Sequence, residues 1–201
     1  MDDIAEACGL KKPSLYHHFR SKDELVYLIH EVVYELIAGG LEDRISGGCQ
    51  PRECLLGVMT DIMAVMDSHE GYLQVYFEHH PDLSPTRYEE TKKKRDRFFD
   101  RVLELVMAVM LESGKDTHRV VSEAQLATLA LFGMCNWSYQ WYQHGGRLQA
   151  EEIAAYFHGV WLNGVLGAEM GSPHQQPEDR APVGTEEGPR PQEHDRSATA
   201  G

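Results

Sequence analysis

The chain has 201 residues, which is enough for a small unit of a few helices followed by one larger helical domain. Its formal net charge is −13 and its sequence pI is near 5.2. A total this acidic argues at first sight against a nucleic-acid partner, but the distribution of charge matters more than its sum. Long stretches of helix formers and few β-branched alternations exclude a β-rich fold and predict an all-α protein.

Cysteine spacing and hydropathy bear on the redox state of the thiols and on the location of the protein. Cys8, Cys49, Cys54 and Cys135 form no CxxC pair and have no histidine at zinc spacing, so we predict reduced thiols, with a redox-sensing thiol as the alternative. No signal peptide precedes the first motif, and no apolar run is long enough to span a bilayer. We therefore predict a cytoplasmic protein with no membrane partner.

Residues 4–24 carry two short helical patterns on either side of Gly9. Glycine supplies the positive φ that a sharp turn between helices needs. Pro13 suits the first turn of the second helix, where its missing N–H leaves nothing unpaired. Leu15 and Phe19, four residues apart, share one face of that helix. The spacing predicts a reading helix over residues 12–19.

The polar side of this second helix is basic and aromatic. Ser21 followed by Glu24 forms the pattern of a capping box and predicts that a third helix starts there. A helix, a glycine turn, a short cationic helix and a capped helix together indicate a helix-turn-helix reader of the DNA major groove. The residues that we expect to contact DNA are Lys11, Lys12, Ser14, Tyr16, His17, His18 and Lys22, with Lys12, Ser14 and His17 on base edges.

The motif IA-A-GL, SLYHHF and SKDEL resembles the signature of the TetR family of bacterial transcriptional repressors. The resemblance implies a homodimer whose ligand-binding domain controls the reading helices. It also implies a further helix before the first motif, which the sequence as given lacks because Met1 falls at the start of the first reading helix. No GxSxG, P-loop, HExxH or dinucleotide fingerprint is present, so we predict no enzymatic activity and no cofactor.

The remainder of the chain has helical periodicity. The patterns predict helices over residues 21–45, 53–68, 72–77, 88–112, 122–143 and 149–166. The first of them continues from the reading motif into the second domain, which gives a mechanical link between the two. The last two are heavily apolar and are interpreted as a homodimer interface of four helices.

Three features allow more than one interpretation. The methionines of residues 53–68 indicate either an adaptable pocket wall or a packed core. The run Lys92–Arg95 is interleaved with acids and is typical of a solvated helix face, with a phosphate-binding role as the alternative. His79 and His80 lie in a predicted loop beside two acids, a combination that could indicate a metal site. Their spacing fits no usual metal site, however, so we predict no bound metal.

The segment WSYQWYQHGGRL, followed by EEIA, resembles a TetR subgroup that responds to acyl-coenzyme A thioesters and represses genes of fatty-acid and steroid catabolism. The resemblance implies a hydrophobic effector of the acyl-coenzyme A type. The residues implied for the acyl part are Met63, Met66, Phe99, Leu103, Phe132 and Trp137, and those implied for the coenzyme phosphates are Arg95 and Arg147. Trp137 and Trp141 as interface core is the alternative interpretation.

The sequence therefore predicts an all-α protein: a helix-turn-helix DNA-binding domain, lacking its first helix as given, followed by a helical ligand-binding and dimerisation domain. The predicted segments are 1–27 for DNA binding, 28–170 for ligand binding and dimerisation, and 171–201 as a disordered tail. The predicted function is a ligand-responsive repressor that binds a palindromic operator in double-stranded DNA. The alternative is an acyl-thioester or lipid-binding helical dimer that does not bind DNA in this form.

Overall fold

The computed structural model describes residues 1–167, and the predicted tail lies outside the described residues. Within them the fold is all-α, as predicted, and contains no strand. The helices are α1 (Asp2–Ala7), α2 (Lys12–His18), α3 (Lys22–Ser46), α4 (Pro51–Ser68), α5 (Glu70–Glu78), α6 (Pro85–Glu112), α7 (Thr117–Trp137) and α8 (Ala150–Leu166). Two 3-10 turns, His80–Asp82 and Ser138–Gln140, follow α5 and α7.

The turn between α1 and α2 has the predicted local chemistry. Gly9 adopts a φ of 63°, in the left-handed region that favours glycine. Pro13 stands in the first turn of α2, also as predicted. The helix is shorter than expected, however. It ends at His18, and Phe19 is an extended C-cap with φ −131° and ψ 119°.

The start of α3 differs in detail from a capping box. Ser21 is the N-cap, and its Oγ accepts a hydrogen bond from the Glu24 N–H at 3.1 Å. The Glu24 carboxylate, however, accepts from the N–H of Arg20 at 2.6 Å instead of returning to Ser21. The start of α3 is therefore fastened to the residues that follow α2.

The largest boundary error concerns α7, which begins five residues earlier and ends six residues earlier than the sequence indicated. Asp116 caps the helix, because its side chain accepts from the His118 N–H at 2.8 Å. At the other end, Tyr142 donates a hydrogen bond to Asp67 of α4 at 2.5 Å. That tertiary contact holds the chain against α4 after α7 has ended.

Helix α4 lies at the centre of the fold, in contact with α3, α6 and α8. Eight of its residues are buried, including Met59, Met63 and Met66, which are at most 2% exposed. These methionines therefore belong to the packed core. Burial of such side chains stabilises a fold by about 1.5–3 kcal/mol each.

Several large apolar side chains of α7 and α8 remain exposed in the single chain. One face of α7 packs on α4 and α6, and one face of α8 packs on α4, while part of the surface of each helix is open to solvent. The exposed side chains of this open face are Val121, Leu126, Leu129 and Trp137 on α7 and Tyr156 and Val160 on α8, between 49% and 70% exposed. Among residues 1–167, no helix is both long and apolar enough to cross a membrane.

Candidate DNA-binding and ligand-binding sites

Helix α2 presents the residues predicted to contact DNA. Leu15 is 4% exposed and anchors the helix on the residues beneath it. The residues on and before α2 that were predicted to contact DNA all lie at the surface: Lys11, Lys12, Ser14, Tyr16, His17 and His18. A short helix whose exposed face holds cations, a hydroxyl and imidazoles matches the hydrogen-bonding groups of a major groove.

Two of the lysines predicted to contact DNA have carboxylate partners in the free protein. The Lys12 ammonium lies 2.8 Å from Asp2, which raises the pKa of Lys12 and lowers the pKa of Asp2 through their hydrogen bond. Both side chains are more than half exposed, so the pair contributes little and Lys12 can exchange Asp2 for a phosphate. Lys22, at the start of α3, lies 2.8 Å from Asp82.

The first turn of α3 is fastened to the segment before α6. Asp23 accepts a hydrogen bond from the Ser84 N–H at 2.7 Å and pairs with Arg87 at 3.0 Å. Asp82 binds Lys22 and also His79, at 2.7 Å, and these two contacts lower the pKa of Asp82, the lysine more strongly. The base of the helix-turn-helix therefore rests on the 3-10 turn His80–Asp82 and on the first turn of α6.

A cavity of about 290 Å³ lies among α3, α4, α5, α6 and α7. Its wall is mainly aromatic. Phe99 stacks on Phe132 with ring centroids 5.9 Å apart, and Phe98 meets Phe132 at 5.8 Å. The remaining lining residues include Tyr34, Ile37, Ala38, Tyr76, Phe77, Arg95, Asp96, Leu129 and Asn136. A mostly apolar cavity with a few polar groups is typical of a small-molecule site.

A second cavity of about 480 Å³ adjoins the first and shares Tyr34, Ala38 and Phe98 with it. Its wall is strongly charged but mixed in sign. Arg101 pairs with Glu42 at 3.0 Å, and the other charged lining residues are Glu35, Arg97 and Asp100. The balance of two arginines and three carboxylates does not by itself favour a polyphosphate.

Arg95, in the wall of the aromatic cavity, lies beside two histidines, His30 and His80, that do not themselves line it. We call these three residues the polar end of the cavity. Arg95 donates a hydrogen bond to Nε2 of His80, and the His30 and His80 rings lie 4.8 Å apart. Burial lowers the pKa of His80, with the charge of Arg95 as the next cause. Burial, followed by His80 and Arg95, lowers the pKa of His30 to about 4. Both imidazoles are therefore neutral near pH 7.

The predicted ligand residues fall into two groups. Arg95, Phe99 and Phe132 line the aromatic cavity. The others do not border it: Met63 and Met66 are buried in the core, Leu103 packs against the core, Trp137 is 64% exposed, and Arg147 is exposed before α8.

Several lining residues were not predicted, among them Tyr34, Tyr76 and Asn136. A signal for part of this set was available in α3. Tyr34 and Ala38, which line the cavity, are spaced by four and share one helix face with His30.

Comparison with protein families places both parts of the chain. Residues 1–27 match the family described as bacterial regulatory proteins of the tetR family. Residues 48–165, more than half of the chain, match the tetracyclin repressor-like C-terminal domain. The chain belongs to the TetR family. Both descriptions are of transcriptional regulators and not of enzymes.

Individual relatives agree with the family. The transcriptional repressor KstR2 of Rhodococcus jostii is 26% identical over 174 residues, covering 86% of this chain and 81% of that protein. The crystal structure of the TetR-family regulator PfmR from Thermus thermophilus superposes with a TM-score of 0.70 at 27% identity, covering 81% of this chain and 86% of that one. The structure of AibR in complex with isovaleryl coenzyme A and operator DNA has a TM-score of 0.65 at 21% identity, with 79% and 84% covered. The last similarity concerns the fold.

Proposed function

We propose that this TetR-family chain is a ligand-responsive repressor that binds a palindromic operator as a homodimer and is controlled by a hydrophobic effector in the aromatic cavity. The observation that carries the proposal is the course of α3. Its first turn, at Lys22 and Asp23, belongs to the reading motif, and its Tyr34 lines the cavity. Twelve residues of α-helix separate Lys22 from Tyr34, a distance of about 18 Å.

DNA contact is proposed for the exposed face around α2. Lys12, Ser14 and His17 would reach base edges in the major groove. Lys11, Tyr16, His18 and Lys22 would hold phosphates, with Lys22 first giving up Asp82. Residues 1–27 would form the reading unit and residues 28–170 the unit for effector binding and dimerisation.

Dimerisation is proposed through the open face of α7 and α8. A monomer would expose Leu126, Trp137 and Tyr156 at 64–70% each, and large apolar side chains grouped on one surface are typical of a protein interface. Two copies of this helix pair would form a four-helix interface. Leu129 lies on this face and also lines the cavity, so the interface and the effector site would adjoin.

The effector is proposed to be a small acyl compound of the acyl-coenzyme A type. The support is the aromatic lining, the sequence resemblance of residues 137–154, and the isovaleryl coenzyme A of the AibR complex. A cavity of about 290 Å³ lies at the low end of ligand pockets, about 300–1,000 Å³. It would hold the acyl part and leave the coenzyme outside.

Coupling between the two sites is proposed to run through Arg95. This residue contacts the cavity and also His80, whose 3-10 turn carries Asp82, the partner of Lys22. An effector that draws Arg95 away from His80 would favour a different position of the turn and of the first turn of α3. Such control requires unequal effector affinity for the DNA-binding and released states.

Selection of operators from a pool of randomised duplexes tests the proposal. The expected product is an inverted repeat whose half-sites lie about one helical turn, roughly 34 Å, apart. Failure to enrich any sequence, together with binding of an acyl-coenzyme A, would instead favour a helical acyl-thioester-binding dimer without DNA function.

A further inference from the structure

His30 is buried without a hydrogen-bond partner, although it adjoins the effector cavity. Its side chain is 1% exposed, and neither Nδ1 nor Nε2 bonds to another group among the described residues. A neutral imidazole has one N–H donor and one acceptor, and buried polar groups are nearly always paired. The unpaired donor therefore indicates a ligand atom that the protein itself does not supply.

A small recess beside His30 continues the polar end of the cavity. The recess has room for about 10 Å³ and shares Tyr34, Tyr76 and Arg95 with the cavity wall. His30 and Lys94 also line it. A space of this size accommodates about one oxygen atom or water molecule.

Of the charged side chains around the recess and the adjoining cavity wall, Arg95 is the cation without a carboxylate partner among residues 1–167. Lys94 pairs with Glu31, and one buried oxygen of Glu31 has no further partner in the described residues. Asp96, in the cavity wall, pairs with Lys92 at 2.7 Å. Among residues 1–167, Arg95 pairs with no carboxylate and bonds instead to a neutral histidine. The surroundings thus carry one uncompensated positive charge.

We infer that the polar end of this cavity binds a carboxylate, so that the effector is a hydrophobic molecule ending in an anionic carboxyl group. One carboxylate oxygen accepts from the Arg95 guanidinium and the other from the ring N–H of His30, while the hydrocarbon body lies against Phe98, Phe99 and Phe132. Arginine is suited to this task because its guanidinium stays charged and is weakly hydrated, so it can pair with a carboxylate in a partly buried site. The inference rests on the proposed effector site and specifies its ligand.

Two compounds present this chemistry: a free carboxylic acid, or a coenzyme A thioester whose acyl chain ends in a second carboxylate. Calorimetry on the full chain without DNA compares octanoate with octan-1-ol, and the monothioester octanedioyl-coenzyme A with octanoyl-coenzyme A. We expect the carboxylate-ended member of at least one pair to bind tenfold or more tightly than its partner. The pair that shows the preference identifies whether the carboxylate belongs to a free acid or to a coenzyme A thioester.

Variants locate the preference. Arg95→Met should abolish it, Arg95→Lys should restore part of it, and His30→Phe should reduce it. Arg97→Met is the matched control, because Arg97 lies two residues along α6 and lines the charged cavity alone. If Arg95 had only a structural role, its substitution would weaken the binding of all four compounds together. The inference predicts instead that the ratio of the two affinities changes within the pair that shows the preference.

Equal affinity within both pairs, preference for the uncharged ends, no binding of any of the four compounds, or a preference that survives Arg95→Met would overturn the inference. The wild-type comparison decides the matter even if a variant does not fold. Because no DNA is present, failure here is distinct from failure of the repressor proposal, which operator binding tests separately.

Discussion

The ammonium group of Lys22 lies 2.8 Å from a carboxylate oxygen of Asp82. This contact fastens the first turn of α3 to the 3-10 turn that also carries His80, and His80 accepts a hydrogen bond from Arg95 in the cavity wall. Two side-chain contacts therefore separate the cavity from the reading motif. The arrangement gives the proposed control of DNA binding a specific path, which substitutions can interrupt.

Asp23→Asn should weaken communication between the sites. The carboxylate of Asp23 pairs with Arg87 and also accepts the Ser84 N–H, and an amide retains only the neutral hydrogen bond. We expect effector binding to remain within about twofold of wild type, while the effect of effector on operator affinity falls. Calorimetry and DNA titration measure the two quantities. Asp43→Asn, an exposed carboxylate on the same helix, is the control. Equal coupling in both variants would show that the attachment of Asp23 to Ser84 and Arg87 does not contribute to the communication.

His17→Ala should reduce sequence discrimination. His17 is exposed on α2 and is proposed to read a base edge, where a good contact is worth about 1–3 kcal/mol against the wrong base. Competition between the selected operator and a mismatched duplex measures the loss. Lys11→Ala should lower affinity for both duplexes alike, because phosphates carry no sequence information. Unchanged discrimination in His17→Ala would remove His17 from the reading surface.

Leu126→Glu should give a monomer. This leucine is 68% exposed on the open face of α7, and a dimer would bury an unpaired carboxylate there. Light scattering after size exclusion reports the mass, and operator affinity should fall with the loss of the second reading helix. Leu36→Glu, at an exposed position on α3, should leave the mass of a dimer unchanged. A dimeric Leu126→Glu protein would place the interface elsewhere.

Gly57→Ala should destabilise the contact between α3 and α4. Arg44 donates two hydrogen bonds to Asp61, each 2.6 Å long, and its guanidinium packs over Gly57. A Cβ at Gly57 would lie 2.5 Å from Nε of Arg44, so the fork must move. We expect a loss of about 1–3 kcal/mol in unfolding free energy, measured with urea.

Gly39→Ala is the control for that substitution. A Cβ at this position in α3 meets nothing within 4 Å, so the change should stabilise the helix by about 0.5–1 kcal/mol. Equal effects of the two alanines would show that the packing over Gly57 is unimportant.

His30 should make stability depend on pH in the mildly acidic range. Burial lowers its pKa from 6.5 to about 4, so the unfolded chain binds more protons between these values. Unfolding free energy is therefore unaffected by His30 above pH 6.5 and falls as the pH drops towards 4, by up to about 3 kcal/mol. The groups that face His30 are Glu31, Tyr34, Tyr76, His80, Thr91, Lys94 and Arg95.

Urea unfolding of wild type and His30→Gln at several pH values isolates this contribution, because the other titrating groups are shared. The wild type should lose stability relative to the variant as the pH falls from 6.5. His118→Gln, at an exposed position on α7, should track the wild type. A constant difference between wild type and His30→Gln would show that His30 does not resist protonation.

The fold was largely predictable because its signals are local. Apolar periodicity, the prolines at helix starts and the glycine turns fixed seven of the helices to within a few residues. The end of α7 was missed because the apolar pattern continues beyond Trp137, where the chain is held by a long-range contact of Tyr142 with Asp67 and no longer by the helix. The Glu24 cap was assigned to the wrong N–H for a similar reason, since geometry and not spacing selects Arg20.

The cavity was predicted only in part. The resemblance to the acyl-coenzyme A-responsive subgroup implied Phe99 and Phe132, which line the cavity, but it also implied Met63 and Met66, which are buried in the core. Periodicity tells which face of a helix is apolar and not which apolar face meets a gap. At the polar end, His30 and His80 lie on different elements and come together beside Arg95. The spacing of these residues along the chain does not predict that contact.

The measurement that tests the proposed repressor function most directly is fluorescence anisotropy of the selected operator titrated with the full chain, at two salt concentrations, with and without octanoyl- and octanedioyl-coenzyme A. We predict tight, salt-sensitive binding that exceeds binding to random duplex and is abolished by at least one thioester. Operator binding no stronger than binding to random duplex, or binding that no bound thioester alters, would contradict a ligand-released repressor.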